Sequence, residues 1–344
     1  MKYNNKKNSL NELRFYLAFV VVTIHMAFLT NTDLTKNILA FTYPLASRAV
    51  DLFFVLSGFL IYMSWDRKPS PKDYTYKRFF RLYPLYGLVV VSIPLIFWAV
   101  FDGQVDIEEI VCYLLANLTF MNFLYPTIPG LFEGNNHQII NGALWSLKVE
   151  VMFYIALPFI YWFIERAKKP VYIVFGLLLS SILFNFLLYG LEGFLSINLG
   201  PLYNQLPSKL YLFVLGIALY KYFDFFSCHF KHNTGLVSIL LLCCVVLFFF
   251  ELSFLFSIAV SILVLSLSFL NRKFAFFSSK ADYSYSIYIT HFPIIQVMLG
   301  LGVSFSTLVD LVMYLIVQSI VSIFCWKAIE FNFLRISHSL SRSF

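Results

Sequence analysis

His25, Glu150 and His291 are side chains whose types can move a proton near neutral pH, and all three stand inside long apolar runs. An ionisable group at membrane depth is costly unless paired or hydrated, so each is a site candidate. His25 follows Arg14 by 11 positions, which returns it to nearly the same helix face about 16 Å further along. Such a stripe suits an extended ligand with anionic phosphates at one mouth and a reactive end near the imidazole. It equally suits a basic anchor followed by a helix-packing histidine. Arg78 and Arg81 stand at i and i+3 in YKRFFRLYP, where two guanidiniums can converge on phosphate or simply flank a span. Glu150, in GALWSLKVEVMFY, has a depth close to that of His25 and can orient an imidazole or accept a proton itself. Lys148, two positions earlier, points to another face and can snorkel outward. Ser284, Tyr288 and His291 share one helix face, which lines a cavity or hydrogen-bonds between helices. Ser146, Tyr288 and His291 are the candidate donors to a developing oxyanion. Asp51 and Asp310 fall near span ends, while His137, His229, His232 and His338 fall in loops or the tail and read as solvated.

The elements that must hold these groups are apolar helices. Apolar residues are 60% of the 344, and charged residues are 12%, about half the share that covers a soluble domain. Mean hydropathy is +0.78, which excludes a water-soluble globule. Apolar runs predict about ten membrane spans, at 12–30, 48–65, 82–101, 143–164, 171–190, 208–223, 235–251, 253–270, 283–300 and 307–327. The fold class expected is all-α and polytopic, a single transmembrane domain over 1–344 with no soluble appendage. Segment 107–123 carries Asn117 and Asn122 and reads as an interfacial helix, with an eleventh span as the alternative. Ser9 and Glu12 form a capping-box pattern ahead of the first run. Arg14 and the lack of a small-residue cleavage site make that run a retained span rather than a secretory leader.

With both termini in the cytoplasm, most of the 25 Lys and Arg fall on the inner side. Lys36, Arg48 and Lys209 remain outside, and Lys148 falls within a span. The longest outer segment carries Asp102, Asp106, Glu108, Glu109 and Glu133 but no Lys or Arg. This topology absorbs the net charge of +7 without a nucleic-acid partner. Cys112, Cys228, Cys243, Cys244 and Cys325 show no metal-ligand spacing and read as small buried hydrophobes.

Five segments in order resemble the membrane acyltransferase-3 family: LRFYLAFVVVTIHM, VDLFFVLSGFLIY, YKRFFRLYPLY, LWSLKVEVMFY and YSYSIYITHFP. The resemblance spans Leu13 to His291 and carries the family's catalytic and binding positions onto Arg14, His25, Arg78, Arg81, Glu150, Tyr288 and His291. It implies transfer of an acyl group, acetyl being the commonest, from cytoplasmic acyl-coenzyme A to a hydroxyl of an extracytoplasmic glycan such as lipopolysaccharide O-antigen. It also implies a bacterial inner-membrane location and no metal. The expected partners are the lipid-linked or surface glycan and membrane lipids, with homo-oligomerisation left open. Many relatives carry an attached periplasmic domain, so this chain is expected to act alone or with a separate partner. Lys148 is not carried over from the family and marks a difference in acceptor. The competing expectation is a transporter or flippase of a lipid-linked glycan or anionic solute, though paired Gly- or Pro-broken helices are not evident. A noncatalytic assembly subunit is a third reading, which leaves the cationic mouth and the deep His and Glu without a shared purpose.

Overall fold

The computed structural model describes residues 10–100, 106–226, 234–249, 253–270 and 281–340. Ser9, Asp102, Cys228, His229 and His232 lie outside them, as does the side chain of His338. Every regular element among the described residues is helical: α1 (Leu10–Thr30), α2 (Asp33–Ala46), α3 (Ala49–Arg67), α4 (Pro71–Val100), α5 (Ile107–Leu118), α6 (Leu144–Arg166) and α7 (Pro170–Leu195). There follow α8 (Gly200–Tyr203), α9 (Leu206–Lys221), α10 (Thr234–Phe249), α11 (Ser253–Leu270), α12 (Ser284–Gly300), α13 (Leu308–Cys325), a π-turn (Trp326–Glu330) and α14 (Phe331–Leu340).

Each expected apolar run coincides with a helix. Among the described residues, six helical stretches are long and apolar enough to cross a membrane: Leu10–Thr30, Asp33–Arg67, Pro71–Ile96, Leu144–Arg166, Pro170–Leu195 and Leu308–Ser337. Helix α5 has 12 residues and reaches only about 18 Å, well short of a hydrocarbon core of about 30 Å, which excludes it as an eleventh span. Asp106 caps it by accepting from Glu108 N at 3.0 Å. Helix α2 falls between two expected spans and was not among them. Asp33, Lys36, Asn37 and Pro44 interrupt its apolar pattern. Thr32 nevertheless caps it, and Thr23 Oγ1 meets Thr42 Oγ1 at 2.8 Å to hold it on α1.

The chain divides into two compact units. One comprises Met1–Arg14, Arg48–Pro69 and Val149–Ser278. Within it α3 and α9 run side by side in the same direction. A Cβ added at Gly58 would fall 2.1 Å from the Phe213 carbonyl oxygen, and one at Gly216 2.1 Å from that of Val55. Only hydrogen at these two positions lets the backbones touch, the small-residue packing by which membrane helices gain dispersion contacts. Asp51, placed near a span end by the apolar pattern, has local partners here. It accepts from Ser257 Oγ at 2.7 Å and faces Arg48 at 3.7 Å and Lys209 at 3.8 Å.

The other unit comprises Phe15–Ser47, Ser70–Lys148 and Ser279–Phe344. Here Phe80 of α4 stacks on Phe333 of α14 with ring centroids 5.9 Å apart. Buried Gln318 of α13 donates to Thr290 Oγ1 of α12 at 2.9 Å and to Ser322 Oγ at 2.8 Å, so α12 and α13 share a buried polar network. Asp310 belongs to a capping box with Thr307 at the start of α13, a structural role that accounts for a carboxylate at that span end.

Candidate active site

Helix α1 carries Arg14 and His25, α4 carries Arg78 and Arg81, α6 carries Glu150, and α12 carries Tyr288 and His291. The tightest association among them is between the two histidines, 266 residues apart. His25 Nδ1 lies 2.8 Å from His291 Nε2, and the rings stack at 5.0 Å and 25°. His291 is fully buried, whereas His25 is half-buried. Phe292 sets its edge against His25 with centroids 5.3 Å apart.

The remaining ring nitrogen of His291 decides the direction of this bond. His291 Nδ1 sits 3.2 Å from the carbonyl oxygen of Ile287, which can only accept, so Nδ1 carries the proton. In a neutral ring Nε2 is then a lone pair, and it accepts from His25 Nδ1–H. His25 Nε2 is left as a lone pair on the less buried ring. A fixed carbonyl thus orients one imidazole, which orients the next, as a buried carboxylate does in a Ser-His-Asp arrangement.

Around the histidines the backbone is held by amides that sequence inspection passed over. Asn141 Nδ2 donates to Ile289 O at 2.9 Å and its Oδ1 accepts from Ala143 N at 3.1 Å, which ties the start of α6 to α12. Gln296, fully buried, donates to His137 O at 2.8 Å and Ile139 O at 2.6 Å and accepts from Asn135 Nδ2 at 2.8 Å. Asn136 Nδ2 donates to Leu29 O at 2.9 Å. The segment NNHQ between Gly134 and Ile139 therefore staples α12 and α1 around the histidines. Its Asn-Asn pair within an otherwise apolar chain was the available signal. His137, read as solvated, instead stacks on Phe28 with centroids 3.8 Å apart.

Tyr288 and Ser146 face each other at 2.6 Å between hydroxyl oxygens, and Ser146 also donates to Ala143 O at 3.0 Å. Glu150 lies in the first unit, where its Oε1 accepts from Ser57 Oγ at 2.9 Å and Tyr154 OH at 2.8 Å. The two arginines of α4 part company. Arg81 bonds Asp282 at 2.7 Å and Glu330 at 3.3 Å and lies over Tyr285, while Arg78 lies over Tyr74. Arg81 thereby ties α4 to the segment before α12 and to the π-turn. Among the described residues no three His, Cys, Asp or Glu side chains gather as for a metal ion. Among the described residues Cys112, Cys243, Cys244 and Cys325 are free thiols; Cys244 and Cys325 are buried, Cys112 half-buried and Cys243 exposed.

A family model described as an acyltransferase domain matches residues 7–327, nearly the whole chain. The chain belongs to the acyltransferase-3 family. It is 28% identical to the acyltransferase MdmB of Streptomyces mycarofaciens over 166 residues, 47% of this chain and 41% of that protein. It is 26% identical to nodulation protein 10 of Rhizobium leguminosarum bv. viciae over 177 residues, 47% of this chain and 46% of that protein. An uncharacterized protein of Haemophilus influenzae is 27% identical over 171 residues, 67% of its length. The aligned part thus spans less than half of the first two relatives. No solved structure gives a significant match. The apolar helices and the family together point to a multi-pass membrane protein.

Proposed function

We propose that this acyltransferase moves an acyl group, acetyl in the simplest case, from cytoplasmic acyl-coenzyme A to a hydroxyl of an extracytoplasmic glycan such as lipopolysaccharide O-antigen, from the bacterial inner membrane. The topology that goes with it has ten spans and both termini inside, supported by the positive-inside bias. The observation that carries the reading is the orientation of His25: Nδ1 is engaged by His291, and Nε2 is left as a base on the half-buried ring.

In this mechanism His25 Nε2 takes the proton of the acceptor hydroxyl as its oxygen attacks the thioester carbonyl. The tetrahedral intermediate collapses with cleavage of the C–S bond, and the thiolate takes the proton back from the His25 imidazolium. His291 keeps the base in the required tautomer. The Tyr288–Ser146 hydroxyl pair, closed on Ala143 O, holds the start of α6 against α12 beside His291. Arg78 holds coenzyme A phosphate, with Arg81 as the brace that sets the α4 helix.

The test is purified protein in liposomes with radiolabelled acetyl-coenzyme A and a crude surface-glycan fraction, following free thiol and label. Label should reach glycan with the native chain and not with His25→Ala, while Arg78→Ala should chiefly raise KM for the donor. Normal transfer by a well-inserted His25→Ala protein refutes the mechanism. Absence of thiol release and of coenzyme A binding by the native chain refutes the donor.

A further inference from the structure

Among the described residues Lys148 has no anionic partner. The residue is 7% exposed, and its ammonium lies over the ring of Phe123, 4.5 Å from Nζ to the centroid. Asn122, beside Phe123, is 8% exposed, and its Oδ1 is buried without a hydrogen-bond partner. A buried ammonium and a buried carboxamide oxygen each carry a desolvation cost that native structures normally offset. Together they offer strong donors to an anion and an acceptor to a hydroxyl on or next to it. Phe123 itself is 53% exposed, so a rotation of its ring uncovers the ammonium.

The surroundings define what carries the anion. Helix α5 leads into this turn and exposes Ile107, Val111 and Leu115 along one face, and the turn exposes Met121, Leu124 and Tyr125. An apolar stripe at i, i+4 and i+8 on a helix too short to span marks an element lying in the membrane interface. A cation buried beside such a surface fits an amphiphile with its anionic head on Lys148 and its chains against the collar.

We propose that Lys148, Asn122 and Phe123 form a binding site for the phosphate of a membrane-anchored ligand, through which the glycan acceptor is held by its lipid-linked phosphate. The acceptor part rests on the acyltransferase reading above; the phosphate site does not.

The probe is phosphatidic acid, a phosphate monoester on apolar chains, compared with phosphatidylcholine, both titrated onto the full chain in detergent and read by native mass spectrometry. The native chain should retain phosphatidic acid preferentially. Lys148→Met should lose that preference by about fivefold or more, Lys148→Arg should keep it, and Asn122→Ala should weaken it. Equal retention by native and Lys148→Met chains overturns the proposal, as does equal retention of the two lipids by the native chain. Displacement of the lipid by millimolar inorganic phosphate alone overturns the membrane-anchored source. A chain that binds phosphatidic acid through Lys148 yet transfers no acyl group overturns the proposed function and leaves the site standing.

Discussion

Replacing His291 by Phe separates the orientation of His25 from its presence. The ring of His291 is fully buried between Tyr288, Phe292 and His25, with centroids 6.0, 6.4 and 5.0 Å away, so a phenyl ring of similar volume preserves the packing. What disappears is the acceptor 2.8 Å from His25 Nδ1. An unpartnered buried N–H costs about 1–3 kcal/mol, and the imidazole escapes that cost by rotating or by moving its proton to Nε2. Either escape removes the base, so kcat/KM should fall by roughly 5- to 160-fold. The larger loss of about 10²–10⁴-fold belongs to His25→Ala, which deletes the general base altogether. The assay is label transfer under donor saturation, with imidazole 15N shifts reporting the His25 tautomer. Donor KM should stay near native, because the phosphates are held elsewhere. An unchanged kcat in a folded His291→Phe protein, or a native tautomer with lost activity, refutes the relay.

Arg81→Met leaves Asp282 and nearly buried Glu330 without their shared cation, which should cost about 3–5 kcal/mol and appear as a marked fall in Tm of the detergent-solubilised protein. If instead stability holds and only donor affinity falls, Arg81 is a phosphate ligand and not a brace. Gly142→Ala puts a methyl 2.7 Å from Phe292 Cε2 and must push the ring that edges His25; the expected result is a clear loss of kcat with a Tm drop equivalent to about 1–3 kcal/mol. Native kcat in that variant would show that Phe292 does not position the base.

The helices were legible because an apolar run and its bounding charges are local properties, and lipid leaves a backbone no alternative to internal hydrogen bonds. That accounts for the coincidence of the expected runs with α1, α3, α4, α6, α7 and α9 to α13. Spacing alone put Ser284, Tyr288 and His291 on one face, and the motif order identified the family that the comparison then showed. Helix α2 was hidden for the same reason, since its polar residues broke a pattern on which only packing against α1 could decide.

Partnership between helices was not legible, because a periodicity gives a face and not what the face meets. From spacing, Arg78 and Arg81 were equivalent; tertiary packing handed Arg81 to Asp282 and Glu330, 201 and 249 positions away. Likewise Lys148 read as a snorkelling cation until Phe123 was found over it. The sequence determined that a histidine stands deep in α1 and another in α12. Only the fold decided that they bond, which nitrogen each presents and which carbonyl orients them, since hydrogen-bond direction exists only once donor and acceptor are brought within about 3 Å of each other.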